Sequence, residues 1–220
     1  MFMEWFWADT GLSAAECKQI IEVGRPALAP AFTSTEGEDL TEIRQGKTCF
    51  FPSNEYPELQ PSLQKVVNTF CAVVKEAWQT NIKNIEPIQL AEYQAGDFYR
   101  WHYDMDNIPA PAQHRHFSAT IELCDPESYE GGGLEFEGMG NNEPARVQGR
   151  MIVFPSFAIH RARKVTKGER FSLVLWADSD LFDPKPPPAK SSIILPGQQA
   201  GGPEHNPRDL IKIKVLDQLP

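Results

Sequence analysis

The stretch FYRWHYD, residues 98–104, sets a histidine and an aspartate two apart in what reads as an aromatic-rich β-strand. Side chains alternate faces along a strand, so His102 and Asp104 fall on one side, within chelating reach of each other. Strand pairing itself requires neither residue. Two readings are open: a polar row on a solvent face, or two ligands of a metal that needs a third.

From residue 85 onward the chain reads as short strands parted by Gly- and Pro-rich turns. The candidates are IEPIQLAEYQ (85–94), DFYRWHYD (97–104), FSATIEL (117–123), GLEFEG (133–138), ARVQG (145–149), RMIVFP (150–155) and ERFSLVLWA (169–177). Helical patterns precede them. Ser13-x-x-Glu16 is a capping box that opens a helix ending at Gly24. The segment 61–79 repeats Leu63, Val66, Phe70, Val73 and Val74 at helical spacing, a core-facing stripe. A short strand pair turning near Gly46 is expected over 41–52. Helices followed by many short strands predict a mainly β protein with flanking helices. Its expected form is a jelly roll, or double-stranded β-helix, supported by N-terminal α-helices.

A jelly roll brings the chain back alongside its earlier strands. His160, closing GRMIVFPSFAIH (149–160), is therefore the candidate third ligand. Alone it reads equally as a core or surface histidine. With His102 and Asp104 it completes two imidazoles and a carboxylate, which suits non-haem Fe(II) with open positions. Downstream, RFSLVLW (170–176) places Arg170, Ser172, Val174 and Trp176 on one face and Phe171, Leu173 and Leu175 on the other. If the first face points inward, Arg170 is a buried charge that needs an anion. A guanidinium binds a carboxylate in fork fashion, and Ser172 adds a hydrogen bond to the same group. The alternative puts Arg170 in solvent and the Phe171 face in the core.

H-x-D, a distal histidine and an arginine on an R-x-S strand together resemble the Fe(II)- and 2-oxoglutarate-dependent oxygenases. LAEYQAGDFYRWHYD (90–104), LCDPESYEGGGLEFEG (123–138) and the run 147–179 are similar to their prolyl 4-hydroxylase-like branch, with its PKHD-type members. The resemblance implies that His102, Asp104 and His160 ligate Fe(II) and that Arg170 anchors the far carboxylate of 2-oxoglutarate. It implies that Tyr93 helps hold this cosubstrate and that Ser172, Thr120 and Trp176 line the pocket. It further implies O2 as cosubstrate, ascorbate as reductant, and hydroxylation of an unactivated C–H with release of succinate and CO2. A prolyl residue of a peptide or protein is the expected substrate. The alternatives are a free amino acid or small metabolite, and a cupin-like metal-binding or interaction module without turnover. The chain departs from the PKHD pattern at QHRHF (113–117), where His114, Arg115 or His116 stands in place of an arginine. The loop before it, which includes Asp106, is also its own.

A net charge of −9 over 220 residues argues against a general phosphate-backbone binder, so no nucleic-acid partner is expected. No apolar run reaches the length of a membrane span, and MFMEWFWADT (1–10) lacks the positive start of a signal peptide. Cys17, Cys49, Cys71 and Cys124 show no CxxC spacing and read as reduced thiols, so a cytoplasmic protein is expected. Residues 1–182 are expected to form the oxygenase domain, with its core over 85–180. Residues 183–220 read as a Pro-rich tail. A peptide, protein or small-molecule substrate is the one partner implied, and the sequence specifies no oligomeric state.

Overall fold

The computed structural model describes residues 4–31, 40–53, 55–105, 115–138 and 146–182. The first half contains β1 (Phe6–Asp9), α1 (Ala14–Gly24), β2 (Ala29–Pro30), α2 (Leu40–Ile43), β3 (Arg44–Gln45), β4 (Lys47–Phe51) and α3 (Gln60–Trp78). Next come β5 (Ile82–Ile85), β6 (Ile88–Gln94), β7 (Phe98–His102), β8 (Phe117–Glu122) and β9 (Glu130–Gly131). The last elements are β10 (Leu134–Phe136), β11 (Arg150–Pro155), β12 (His160–Ala162), β13 (Val165–Lys167) and β14 (Glu169–Ser179). The tail 183–220 and residues 106–114, Asp106 and His114 among them, lie outside the described residues.

The larger sheet runs β1-β11-β8-β14-β6-β4-β2, and β5 continues the β6 edge of β14. The smaller sheet, β10-β12-β7-β3, lies across a cavity from it. β14 settles the two readings of its own sequence, because both of its faces are buried. Phe171, Leu173 and Leu175 are at most 1% exposed and share one core with Leu63, Val66, Phe70, Val73 and Val74 of α3. Burying each such side chain is worth about 1.5–3 kcal/mol. Arg170, Ser172 and Trp176, on the opposite face, are 5%, 1% and 7% exposed and look into the cavity. Helices cover one face of the larger sheet and the smaller sheet covers the other. This is the mainly β jelly roll with helical support that the sequence predicts.

Local chemistry sets the helix ends. The Glu16 backbone N–H donates to Ser13 Oγ at 3.2 Å, and the Ser13 N–H donates to Glu16 Oε2 at 2.8 Å. α3 ends where Gln79 turns left-handed at φ 54° and its N–H donates to the Lys75 carbonyl.

The expected strand pair over 41–52 is corrected. β3 and β4 do not pair with each other: β3 joins β7 in the smaller sheet and β4 joins β6 in the larger. Gly46 is the crossing point, at φ +150°, and a Cβ there would sit 2.8 Å from the Glu92 carbonyl oxygen. Only glycine lets the chain change sheets so close to another backbone. ARVQG is also not a strand over its described residues 146–149, where the chain turns and the Arg150 N–H donates to the Val147 carbonyl at 3.0 Å. β1, β2, β5, β9, β12 and β13 are additions to the strands read from sequence.

The four cysteines are free, with Cys17, Cys49 and Cys124 buried. Burial pushes the thiols of these three up to about 11. No helix among the described residues is long and apolar enough to cross a membrane.

Candidate metal and cosubstrate site

β7 and β12 are adjacent antiparallel strands, and His102 and His160 are direct partners across them. Their rings lie 4.2 Å apart between centroids. Each Nδ1 sits 2.8 Å from a backbone carbonyl, Arg100 for His102 and Ala158 for His160. A carbonyl oxygen only accepts, so each Nδ1 carries the proton and each Nε2 keeps its lone pair. Those Nε2 atoms lie 3.6 and 3.7 Å from the two carboxylate oxygens of Asp104. The gaps are too long for hydrogen bonds, and one ligand atom from each residue lies within 4.8 Å of the others.

Asp104 reaches this position differently from the way its spacing suggests. β7 stops at His102, so strand alternation does not place the aspartate. Its backbone N–H, and that of Met105, donate to the Ser156 carbonyl at 2.8 and 3.1 Å, which ties the segment to the turn after β11. The Ser156 hydroxyl shares a 2.9 Å hydrogen bond with Ser118. Ser118 and Ser156 are positioning contacts that the sequence reading missed.

The electrostatics favour a cation at the centre. Burial pushes His160 down to about 4, against the opposing pull of Asp104, so its imidazole is neutral at neutral pH. Neutral imidazole is the form that ligates metal. Burial alone would raise the Asp104 carboxyl, but His160, His102 and Ser118 hold it below the ordinary carboxylate range. Two imidazoles and one carboxylate, all from one side, fit a divalent transition metal with open positions.

The three ligand candidates line one cavity together with Arg170, Tyr93, Ser172, Thr120 and Trp176. The residues that the resemblance assigns to iron and to the cosubstrate thus line this one cavity. Arg170 donates from Nε to Glu122 Oε2 at 3.0 Å, and its Nη1 lies 3.5 Å from Ser172 Oγ. Burial opposes the guanidinium charge, but Glu122 more than offsets it and keeps Arg170 protonated. Glu122 also accepts from the Tyr129 hydroxyl at 2.9 Å and from the Cys124 N–H at 3.2 Å. Tyr93 is the direct cross-strand partner of Arg170.

The cavity holds further residues the sequence reading missed. Leu134, Ala162, Tyr99 and Arg44 form a cross-strand row over the smaller sheet. Tyr99 stacks on His102 at 3.5 Å between centroids. Strict alternation would put residues 99 and 102 on opposite faces. A register shift between β7 and β12, where His160 partners His102 and Ala162 partners Tyr99, brings both into the cavity. Of the residues standing in place of the PKHD arginine, Arg115 lies 4.0 Å over the Trp176 ring and pairs with Glu86 at 2.6 Å. His116 Nδ1 lies 3.0 Å from Ser179 Oγ.

Residues 88–178 match the model of the 2OG-Fe(II) oxygenase superfamily. A PKHD-type hydroxylase of Hyphomonas neptunium is 36% identical over 153 residues, which cover 68% of this chain and 67% of that one. One from Acidovorax ebreus is 34% identical over 106 residues, 46% of this chain. There the match spans about half the relative's length, 47%. Among solved structures, a Pseudomonas putida prolyl-4-hydroxylase superposes with a TM-score of 0.62 at 21% identity, covering 80% of this chain and 92% of that one. A Trichoplax adhaerens prolyl hydroxylase, solved with a hypoxia inducible factor peptide fragment, gives 0.62 at 15% identity and covers 79% and 83%. These two likenesses concern the fold. By its sequence and the cavity it builds, the chain belongs to the 2OG-Fe(II) oxygenase superfamily, among the PKHD-type hydroxylases.

Proposed function

We propose that this protein is an Fe(II)- and 2-oxoglutarate-dependent dioxygenase that hydroxylates an unactivated C–H, with ascorbate as an external reductant. Its proposed substrate is a prolyl residue of a peptide or protein. One observation carries the reading: the His102, Asp104 and His160 ligand set and the buried Arg170 line the same cavity. A metal-binding module without turnover has no use for a buried guanidinium in that cavity. The prolyl assignment is supported by the PKHD-type relatives and by the prolyl hydroxylase fold of the structural neighbours.

Iron with 2-oxoglutarate and O2 supplies the oxidising chemistry: the cosubstrate leaves as succinate and CO2, and one oxygen atom enters the substrate. The protein's own residues hold and orient. His102, Asp104 and His160 would bind the metal from one side, leaving the cavity side open. Arg170, fixed by Glu122 on its Nε edge, would take the far carboxylate of 2-oxoglutarate, with Ser172 beside it. Tyr93, Thr120 and Trp176 would bound the same space, while Leu134, Ala162 and Val174 exclude water. The buried free thiols suit a reducing compartment, and a cytoplasmic location is part of the proposal.

The iron-loaded protein, given 2-oxoglutarate, air and peptides that carry proline, internal or C-terminal, is expected to add one oxygen atom to a prolyl residue. Succinate should form in equal amount, both read by mass spectrometry. Succinate formation that no prolyl peptide accelerates would remove the prolyl assignment and leave the oxygenase.

A further inference from the structure

We propose that Arg44 and Trp176 form a second subsite in this cavity, one that takes a free carboxylate of the primary substrate. The substrate class is then an amino or imino acid whose own carboxylate is unblocked, either free or at the end of a peptide. The inference rests on the hydroxylase reading above and narrows what that hydroxylase accepts.

Arg44 is only 9% exposed, and no carboxylate among the described residues pairs with it. Its Nη2 donates to Gln89 Oε1 at 3.1 Å, and its guanidinium lies 4.6 Å over the Tyr99 ring. A neutral amide and a ring face compensate a buried cation poorly. Arg170 in the same cavity has Glu122 as its carboxylate partner. Arg44 has none.

Two buried nitrogens in the cavity wall have no hydrogen-bond partner: Arg44 Nε and Trp176 Nε1. Both are donors, and buried donors are ordinarily satisfied. Both belong to the same end of the site. Gln89, which holds Arg44, is the cross-strand partner of Val174, next but one to Trp176. Arg170 lies four residues before Val174 along β14, roughly 13 Å at the rise of a strand. Arg44 also lies 5.9 Å from the ring of Tyr93, the cross-strand partner of Arg170, so the test below reads 2-oxoglutarate affinity as well. Tyr99 joins the two functions, because it carries the Arg44 guanidinium and stacks on the candidate ligand His102. A substrate held by its carboxylate at Arg44 sits beside the metal position with its carbon skeleton over Leu134 and Ala162, the other members of the cross-strand row. A guanidinium matches a carboxylate's two oxygens, and the indole N–H adds a third donor.

The test is calorimetry on the Fe(II)- and 2-oxoglutarate-loaded protein without O2. The probes are N-acetyl-L-proline and its amide, with N-acetyl-L-alanine and its amide as the pair lacking a prolyl ring. Each acid is expected to bind about 10-fold or more tightly than its amide, the scale of one charge-assisted contact. Arg44→Gln should cut that preference below about twofold while 2-oxoglutarate affinity stays at the wild-type value. Trp176→Phe, which keeps a ring but removes the donor, should reduce the preference by a smaller factor. Equal binding of acid and amide by the wild-type protein overturns the proposal and needs no variant. An unchanged preference in Arg44→Gln overturns it too, as does weakened 2-oxoglutarate binding in that variant, which would assign Arg44 to the cosubstrate. If N-acetyl-L-alanine binds as tightly as N-acetyl-L-proline, the subsite stands and the prolyl assignment falls. If internal prolyl peptides are hydroxylated regardless of Arg44, the reverse holds.

Discussion

Removing the charge of Arg170 weakens 2-oxoglutarate binding by at least about 100-fold and leaves Fe(II) affinity close to wild type. The factor follows from losing a fork of charge-assisted hydrogen bonds, each worth about 1.5–3 kcal/mol. Arg170→Ala alone is the wrong variant, because Glu122 is 7% exposed and would remain as a buried carboxylate without its cation. Breaking one side of such a pair costs about 3–5 kcal/mol of stability. Arg170→Gln combined with Glu122→Gln removes both charges and keeps the side-chain volumes close, so binding and folding separate. Anaerobic titration with 2-oxoglutarate reads the loss. An equal fall in Fe(II) affinity would place Arg170 in the metal site and contradict its assignment as the anchor.

His160→Ala is expected to abolish tight metal binding. Changing an outer partner of a ligand costs about 10–100-fold in affinity, so loss of a ligand itself exceeds that range. The change is visible in stability as well as in binding. A metal at 100 times its Kd stabilises the folded state by about 2.7 kcal/mol, or roughly 5–10 °C in a chain of this size. Adding Mn(II) or anaerobic Fe(II) should raise the unfolding temperature of the wild-type protein by that amount. It should leave His160→Ala unmoved. A variant that still gains the full shift would mean the metal binds elsewhere.

How far the sequence could be read depended on the kind of constraint behind each residue. Two imidazoles and a carboxylate are a chemical requirement, so His102, Asp104 and His160 stood out without coordinates. Alternation along β14 separated Arg170, Ser172 and Trp176 from Phe171, Leu173 and Leu175. It could not say that both faces are buried, because that depends on a second layer packing over the first. Arg44 was hidden because β3 is two residues long and its sheet is decided by the contact of Gly46 with the Glu92 carbonyl. Tyr99 was hidden by the register shift between β7 and β12, which overrides the period of two. Glu122 looked like one more polar position on FSATIEL, and its partnership with Arg170 is a contact between β8 and β14. Local periodicity is written in the sequence, whereas bulges and sheet changes arise from tertiary contact.

On this proposal one cavity holds both the metal and the cosubstrate. It is tested most directly by visible absorption of the Fe(II)-loaded protein as 2-oxoglutarate is added without O2. The expected result is a metal-to-cosubstrate charge-transfer band that saturates at one equivalent, is absent in His160→Ala, and needs far more 2-oxoglutarate in the Arg170→Gln, Glu122→Gln variant. Tight iron binding with no such band at any 2-oxoglutarate concentration would contradict it.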